Sequence, residues 1–274
     1  IVDGRIAGLH EDTDAVIEDC VFRPLGNPQR SPCAVRSMGF TNMTVTGCDF
    51  TGFDYVVSFG EGTKGKMLNC FIRNCGHQGV ILYSGSQAEV AGNIITGSRY
   101  HAVRTTGGKL NLRDNLIINN QNRGVYLGNK SGSGRISNNL LIGNGTGIDG
   151  ISACRFVVEN NVILKSGYAA IAARPYAQLA VRNNVLMDNL RGVIVHQEEG
   201  KNDPVQSKFA RNMYWKNQTD VENCGKGRGA IDSKPVFIGP GEGNFKLSDP
   251  EHEGVGLRDA ETIYYLWKRY EEKL

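Results

Sequence analysis

Residues 181–189 read VRNNVLMDN, an apolar pair at Val185 and Leu186 with asparagines on both sides. Alone it would make a poor strand and a worse helix. Near copies stand upstream: VENNVILKS at 158–166, ISNNLLIGN at 136–144 and LRDNLIINN at 112–120. With the central asparagine as marker, Asn93, Asn115, Asn139, Asn161, Asn184 and Asn212 follow one another at 22, 24, 22, 23 and 28 residues. The same spacing carried upstream reaches Cys70, Cys48 and Cys20. A fixed period in this range is the mark of a solenoid. A second phrase lies between the markers, a small residue followed by apolar positions, as in GVILYS, GVYLGN and GVIVHQ. Nothing in the repeat sustains a helical period.

Two short extended phrases per ~22 residues predict an all-β fold, a right-handed parallel β-helix of about nine coils stacked ~4.8 Å apart. An asparagine at each corner can pair its amide with the coils above and below and with turn backbone, and it tolerates left-handed backbone. The ladder phrase is therefore architectural. Cys20, Cys48 and Cys70 share the marker column and are expected to be buried free thiols, packing as small apolar groups. Cys33, Cys75, Cys154 and Cys224 fall into no column. The solenoid is expected over 1–224. Residues 225–274 are expected to form extended finishing segments and a capping or docking helix, with Ile263, Leu266, Trp267 and Tyr270 on one face. No equivalent cap precedes Ile1, so a missing segment or a neighbouring domain is expected there.

The chain has 274 residues, 40% of them hydrophobic, with 35 glycines, 8 prolines and a formal charge of +3. That composition suits one large domain rich in turns. No apolar run approaches the ~20 residues of a membrane span, and no phosphate-binding loop or other nucleotide or nucleic-acid signature occurs. Seven cysteines without a C-x-x-C pair suit neither a disulfide framework nor a zinc site. The five histidines and five methionines form no ligand cluster of the copper-handling kind, so neither metal nor cofactor is expected. The opening IVDGRIAG reads as a mature or trimmed chain, in which any export signal is invisible.

Aligning the second phrase places Val35, Val56, Val80, Val103, Val125 and Ile148 inward. Arg36, Val57, Ile81, Arg104, Tyr126, Asp149, Ala172 and Ile194 then form an outward column. The outward column before it holds Asp54, Gln78, His101, Arg123, Thr146, Ala169 and Arg191. A third holds Tyr83, Thr106, Ile151, Arg174 and His196. His101, Arg104, Arg123, Tyr126 and Asp149 should converge within roughly 10–12 Å on adjacent strands. A solvated strand face also carries arginine, tyrosine and histidine, but the flanking coils turn apolar in the same column.

The repeat NNxIxxNxxxGI resembles the right-handed β-helix proteins of the pectin-lyase-like superfamily, with their carbohydrate-binding and sugar-hydrolase type repeats. The resemblance covers roughly residues 15–220. It implies a secreted, periplasmic or cell-surface protein with a polysaccharide groove on this face, acting as lyase, epimerase or glycosidase or having no activity. The facing carboxylates of a glycosidase are missing, with Asp54 and Asp149 four coils apart. The epimerase-like DPH and an acidic calcium cluster are missing too.

The residues then suit proton abstraction beside a uronate carboxylate. Arg104 and Arg123 would neutralise the carboxylate, His101 act as base and Tyr126 as acid. Asp149 would orient Tyr126 or Arg104. Arg174, His196 and Arg191 would bind flanking sugars, with HQEEGKNDP at 196–204 as a groove wall. The expected function is a polysaccharide lyase or uronate epimerase acting on an acidic polysaccharide. The alternative is a non-catalytic cell-surface module that binds glycan or protein.

Overall fold

In the computed structural model, residues 2–3, 6–9, 14–24, 33–39, 41–128, 131–198 and 206–273 are described, the first two stretches as backbone only. Three long parallel sheets wind together, of ten, ten and nine strands, each strand pairing with the one a full coil away. The nine markers thus undercount the two larger sheets by one coil. In the corner sheet the strands are three residues long, such as Leu116–Ile118, Leu140–Ile142, Val162–Leu164 and Val185–Met187. The second sheet, which carries the candidate site, includes Gln78–Leu82, His101–Thr106, Arg123–Gly128, Thr146–Gly150 and Ala169–Ala173. The third sheet, Lys64–Leu68, Gln87–Ala91 and their equivalents, closes each coil.

The asparagine ladder is continuous. Asn161 donates from Nδ2 to Asn184 Oδ1 at 3.0 Å and to the carbonyls of Ile136 and Glu159, while its backbone N–H also reaches Asn184 Oδ1. Asn93, Asn115, Asn139 and Asn184 repeat the arrangement. All five are sealed from solvent, so each buried donor has its acceptor. The left-handed backbone falls one residue earlier than the ladder, at Asn69, Asp114, Asn138, Asn160 and Asn183, with φ between 54° and 57°. This division of labour explains the doubled asparagine. The first turns the chain and the second fills the corner.

A second ladder went unread in the sequence. The last residue of each phrase joins the file Cys75, Ser98, Asn120, Asn144, Ser166, Asn189 and Asn217, with Asn120 Nδ2 to Asn144 Oδ1 at 2.9 Å and a break at Ser166, whose Oγ is buried without a partner. Cys75 therefore belongs to a column after all. Cys20, Cys48 and Cys70 are free thiols, Cys48 and Cys70 buried and Cys20 partly so. The Cys70 N–H donates to Asn93 Oδ1, so the thiols continue the asparagine file.

The expected columns slip by one residue in a single coil. Val57, not Val56, pairs with Val35 and Val80, so Tyr55 and Ser58 replace Asp54 and Val57 in the outward columns. The small residue of the second phrase marks a bend where two consecutive residues face inward. A Cβ on Gly147 would stand 2.4 Å from the Ala170 carbonyl and 2.7 Å from Ile163, which reserves that position for the smallest side chains.

The C-terminal segment lies along the side of the solenoid. A short antiparallel pair, Phe237–Gly239 and Asn244–Leu247, leads to the helix Ala260–Glu271, capped by the Asp259 carboxylate on Thr262 N–H. Ile263, Leu266 and Tyr270 pack on the outward faces of Leu116, Leu140, Val162 and Val185. Arg269 reaches the Asn69 carbonyl at 2.7 Å, and Lys273 pairs with Asp49. Among the described residues no helix is long and apolar enough to cross a membrane. The expected cap at the amino-terminal end concerns a region that lies largely outside the described residues.

Candidate active site

The second sheet brings the expected residues together. His101 pairs in register with Arg123, Arg104 with Tyr126, and Tyr126 with Asp149. The His101 and Tyr126 rings stack with centroids 4.7 Å apart and planes 2° from parallel. The guanidinium carbons of Arg104 and Arg123 stand 5.6 and 5.2 Å from the Tyr126 centroid, giving the ring two cationic neighbours.

Asp149 is 1% exposed and takes two arginines at once. Arg123 Nε donates to its Oδ2 at 2.5 Å, and Arg174 donates to both oxygens at 3.2–3.3 Å. The role expected for Asp149, orienting Tyr126 or Arg104, is thereby corrected. Its reach is diagonal, to the coil below and the coil above. Among the described residues Arg104 has no carboxylate partner, and its Nε is buried without an acceptor. One acid against three guanidiniums leaves the cluster two positive charges in excess.

His101 is 2% exposed. Burial, followed by Arg123 and Arg104, pushes its imidazolium pKa down to about 3, so the ring is neutral at ordinary pH. Its Nδ1 is buried without a partner. Tyr126, Arg123 and Arg174 line a cleft of about 910 Å³ together with Ile151, Tyr176 and Gln206.

Of the expected flanking residues, Arg174 joins the Asp149 cluster, while Arg191 and His196 lie farther along the face. Arg191 pairs with Glu222 at 2.5 Å and lies over the Tyr168 ring, and His196 Nε2 meets the Tyr168 hydroxyl at 3.2 Å. Between them and the arginine cluster, Ala169, Ala172 and Ile194 form a small apolar patch beside Tyr168. In the segment proposed as a groove wall, residues 199–204 lie outside the described residues. Sequence reading missed the aromatic file that continues below the site. Tyr55, His77, Tyr100 and His101 follow one another at centroid spacings of 5.1, 4.8 and 4.4 Å. The signal was the residue before the first outward column, aromatic in two successive coils. Among the described residues no group of three or more His, Cys, Asp and Glu is placed to hold a metal ion.

The family of the right-handed beta helix region matches residues 7–155, more than half of the chain. The chain belongs to this right-handed β-helix family. The β-helix has the fold of the pectin-lyase-like superfamily. Comparison with curated protein sequences gives no match. Among solved structures, the β-helix is similar to a tailspike protein of E. coli bacteriophage HK620, with a TM-score of 0.54 and 12% identity over 84% of this chain and 55% of that one. The chain thus spans about half the length of that relative. It is also similar to the periplasmic alginate epimerase AlgG, at a TM-score of 0.48 and 10% identity over 82% of this chain and 76% of that one. Pectate lyase Pel9A gives 0.48 and 12% over 91% and 78%. At such identities the likeness is one of fold, and the chemistry of this β-helix rests on its own side chains.

Proposed function

We propose that the chain is a carbohydrate-active β-helix that acts on an acidic polysaccharide, removing the proton next to a uronate carboxylate in β-elimination or C5 epimerisation. The observation that carries this reading is Arg104. It is a guanidinium with a buried, unpaired Nε and, among the described residues, no acid partner, beside a tyrosine that lines an open cleft. A substrate carboxylate would supply the missing acceptor, and its neutralisation would acidify the adjacent carbon. Tyr126 is the proton-transferring group that faces the polymer in this proposal. His101 lies against its ring, neutral at ordinary pH, and supports the tyrosine by stacking. Arg123 and Arg174, held by Asp149, would bound the cleft and bind neighbouring carboxylates. His196 and Arg191 would contact sugars farther along the same face.

A non-catalytic glycan-binding module is the second reading, and the 2% exposure of His101 favours it, since a sealed base does not touch a polymer. Incubation with a panel of uronate polysaccharides separates the two. Unsaturated ends absorbing in the ultraviolet report elimination, and deuterium uptake from heavy water at C5 reports epimerisation. Binding without either product establishes the module and refutes catalysis.

A further inference from the structure

Away from the sheet face, the C-terminal segment brings a serine into hydrogen-bonding contact with a histidine and sets a carboxylate close behind the ring's other nitrogen. Ser233 Oγ lies 2.9 Å from His252 Nε2, and Asp249 Oδ2 lies 3.0 Å from His252 Nδ1. Local chain geometry makes the second contact. Asp249 and His252 stand three residues apart across one 3₁₀ turn, Pro250–His252, and the other oxygen of Asp249 caps Glu251 N–H at 2.9 Å. The serine arrives from a separate segment, 19 residues upstream. Two independent stretches of chain thus meet so that one imidazole touches a hydroxyl with one nitrogen and a carboxylate with the other.

From this geometry we infer a second reactive centre, in which Ser233 is a nucleophile, His252 its general base and Asp249 the group that positions the imidazole, acting on carboxylic esters. The arrangement meets the requirement for activating a hydroxyl: base within reach of nucleophile, orienting group behind the base. His252 keeps only 13% of its side chain exposed, so the ring is held by its surroundings. Asp249 stands off the line of the Nδ1–H bond, a looseness common in unliganded sites that tightens when substrate binds. Asp249 and His252 also line an open cleft of about 730 Å³ with Lys246, Glu253 and Arg258, and the half-buried Ser233, itself outside that lining, meets it through its contact with His252.

Ser233 Oγ bonds to the acyl carbon while its proton passes to His252 Nε2. The carbon–oxygen bond to the alcohol breaks, and His252 returns the proton to the departing oxygen. Water then attacks the acyl-serine with the same proton relay, releasing the acid and restoring the hydroxyl. Among the described residues the Lys234 N–H, next after the nucleophile, has no acceptor, and it is a candidate donor to the oxyanion. A single such donor suits an ester, whose alkoxide leaves readily, better than an amide.

The test treats the intact chain with a fluorophosphonate probe, locates the adduct by peptide mass spectrometry, and follows p-nitrophenyl acetate hydrolysis in parallel. An adduct on Ser233, with turnover falling about 10²–10⁴-fold in both Ser233→Ala and His252→Ala, is the expected result. An unlabelled wild-type protein overturns the inference whether or not the variants fold. So does ester turnover that survives Ser233→Ala at the wild-type rate, which would make the contact a tie between two segments.

Discussion

Arg123 Nε and Asp149 Oδ2 lie 2.5 Å apart, with the acid 1% exposed and the arginine side chain 19% exposed. The pair is asymmetric. The carboxylate has left water entirely, and its solvation is replaced by the guanidiniums of Arg123 and Arg174. Such an acid is costly to remove, because its loss strands two partly buried cations against each other. Asp149→Ala is therefore expected to destabilise the protein by about 2–4 kcal/mol, read from the denaturation midpoint. Arg104→Ala, which breaks no ion pair, should stay within ~0.5 kcal/mol. Equal midpoints for the two variants would show that Asp149 contributes no net stability.

The ladders predict a second stability effect. Asn161→Ala removes the amide that satisfies Ile136 and Glu159 carbonyls and the oxygen that serves Asn139, leaving them buried and unpaired. A loss on the order of 1–3 kcal/mol follows. Asn144→Ala in the second ladder should cost a similar amount, since it serves Asn120 and the Ile117 carbonyl. A midpoint unchanged in both variants would mean that water takes over the corner.

These two files differ in how plainly the sequence announced them. The first is asparagine in six successive coils, so the period alone exposed it. The second mixes cysteine, serine and asparagine, small side chains that fit the same corner, so no single letter runs through it. The coil at 55–58 is misaligned because Val56 and Val57 are interchangeable to a pattern: both reach the core, but only Val57 pairs in register with Val35 and Val80. Register did bring His101, Arg104, Arg123, Tyr126 and Asp149 together. The ion pairs were hidden, because Asp149 reaches diagonally to coils on either side, a matter of side-chain length and not of column. The burial of His101 was hidden for the same reason, as it depends on Tyr100 and Tyr126 closing over it from two coils.

His101 also gives a pH dependence. Its folded pKa is pushed down to about 3 while the unfolded chain titrates near the ordinary 6.5. Between these values the unfolded state binds the extra proton, so stability rises with pH across this window and is lost as pH falls through it. His101→Gln should flatten that slope, measured as denaturation midpoint at steps from pH 7 down to pH 4. Parallel slopes in the two proteins would show that other groups carry the acid sensitivity.

The thiols should respond to reagent by exposure and not by acidity. Interaction with Cys70 pulls the Cys48 pKa down, yet its side chain is sealed. A thiolate that reagent cannot reach does not react. Cys20, partly exposed, should be modified first in the folded protein, with Cys48 and Cys70 modified only on unfolding. Rapid labelling of Cys48 before Cys20 would show that this corner opens in the native state.

The site proposal is tested most sharply by two arginines of one column. Arg36 and Arg104 occupy equivalent outward positions, with Ser58 and Ile81 between them in the register. Arg36 is exposed, whereas Arg104 is half-buried against Tyr126 with an unpaired Nε. If Arg104 neutralises a uronate carboxylate in the transition state, Arg104→Ala should cut turnover roughly 10²–10⁴-fold, as for the loss of a preorganised charge contact. Arg36→Ala removes the same formal charge from the same face and should change turnover less than about twofold, within the small range of exposed substitutions. Arg104→Lys keeps the charge but loses the fork that matches a carboxylate, so it should recover only part of the activity. Raising the salt concentration weakens the long-range attraction of a polyanion to both variants and leaves the ratio between them unchanged. Equal losses from Arg36→Ala and Arg104→Ala would reveal a diffuse basic surface and dispose of the site.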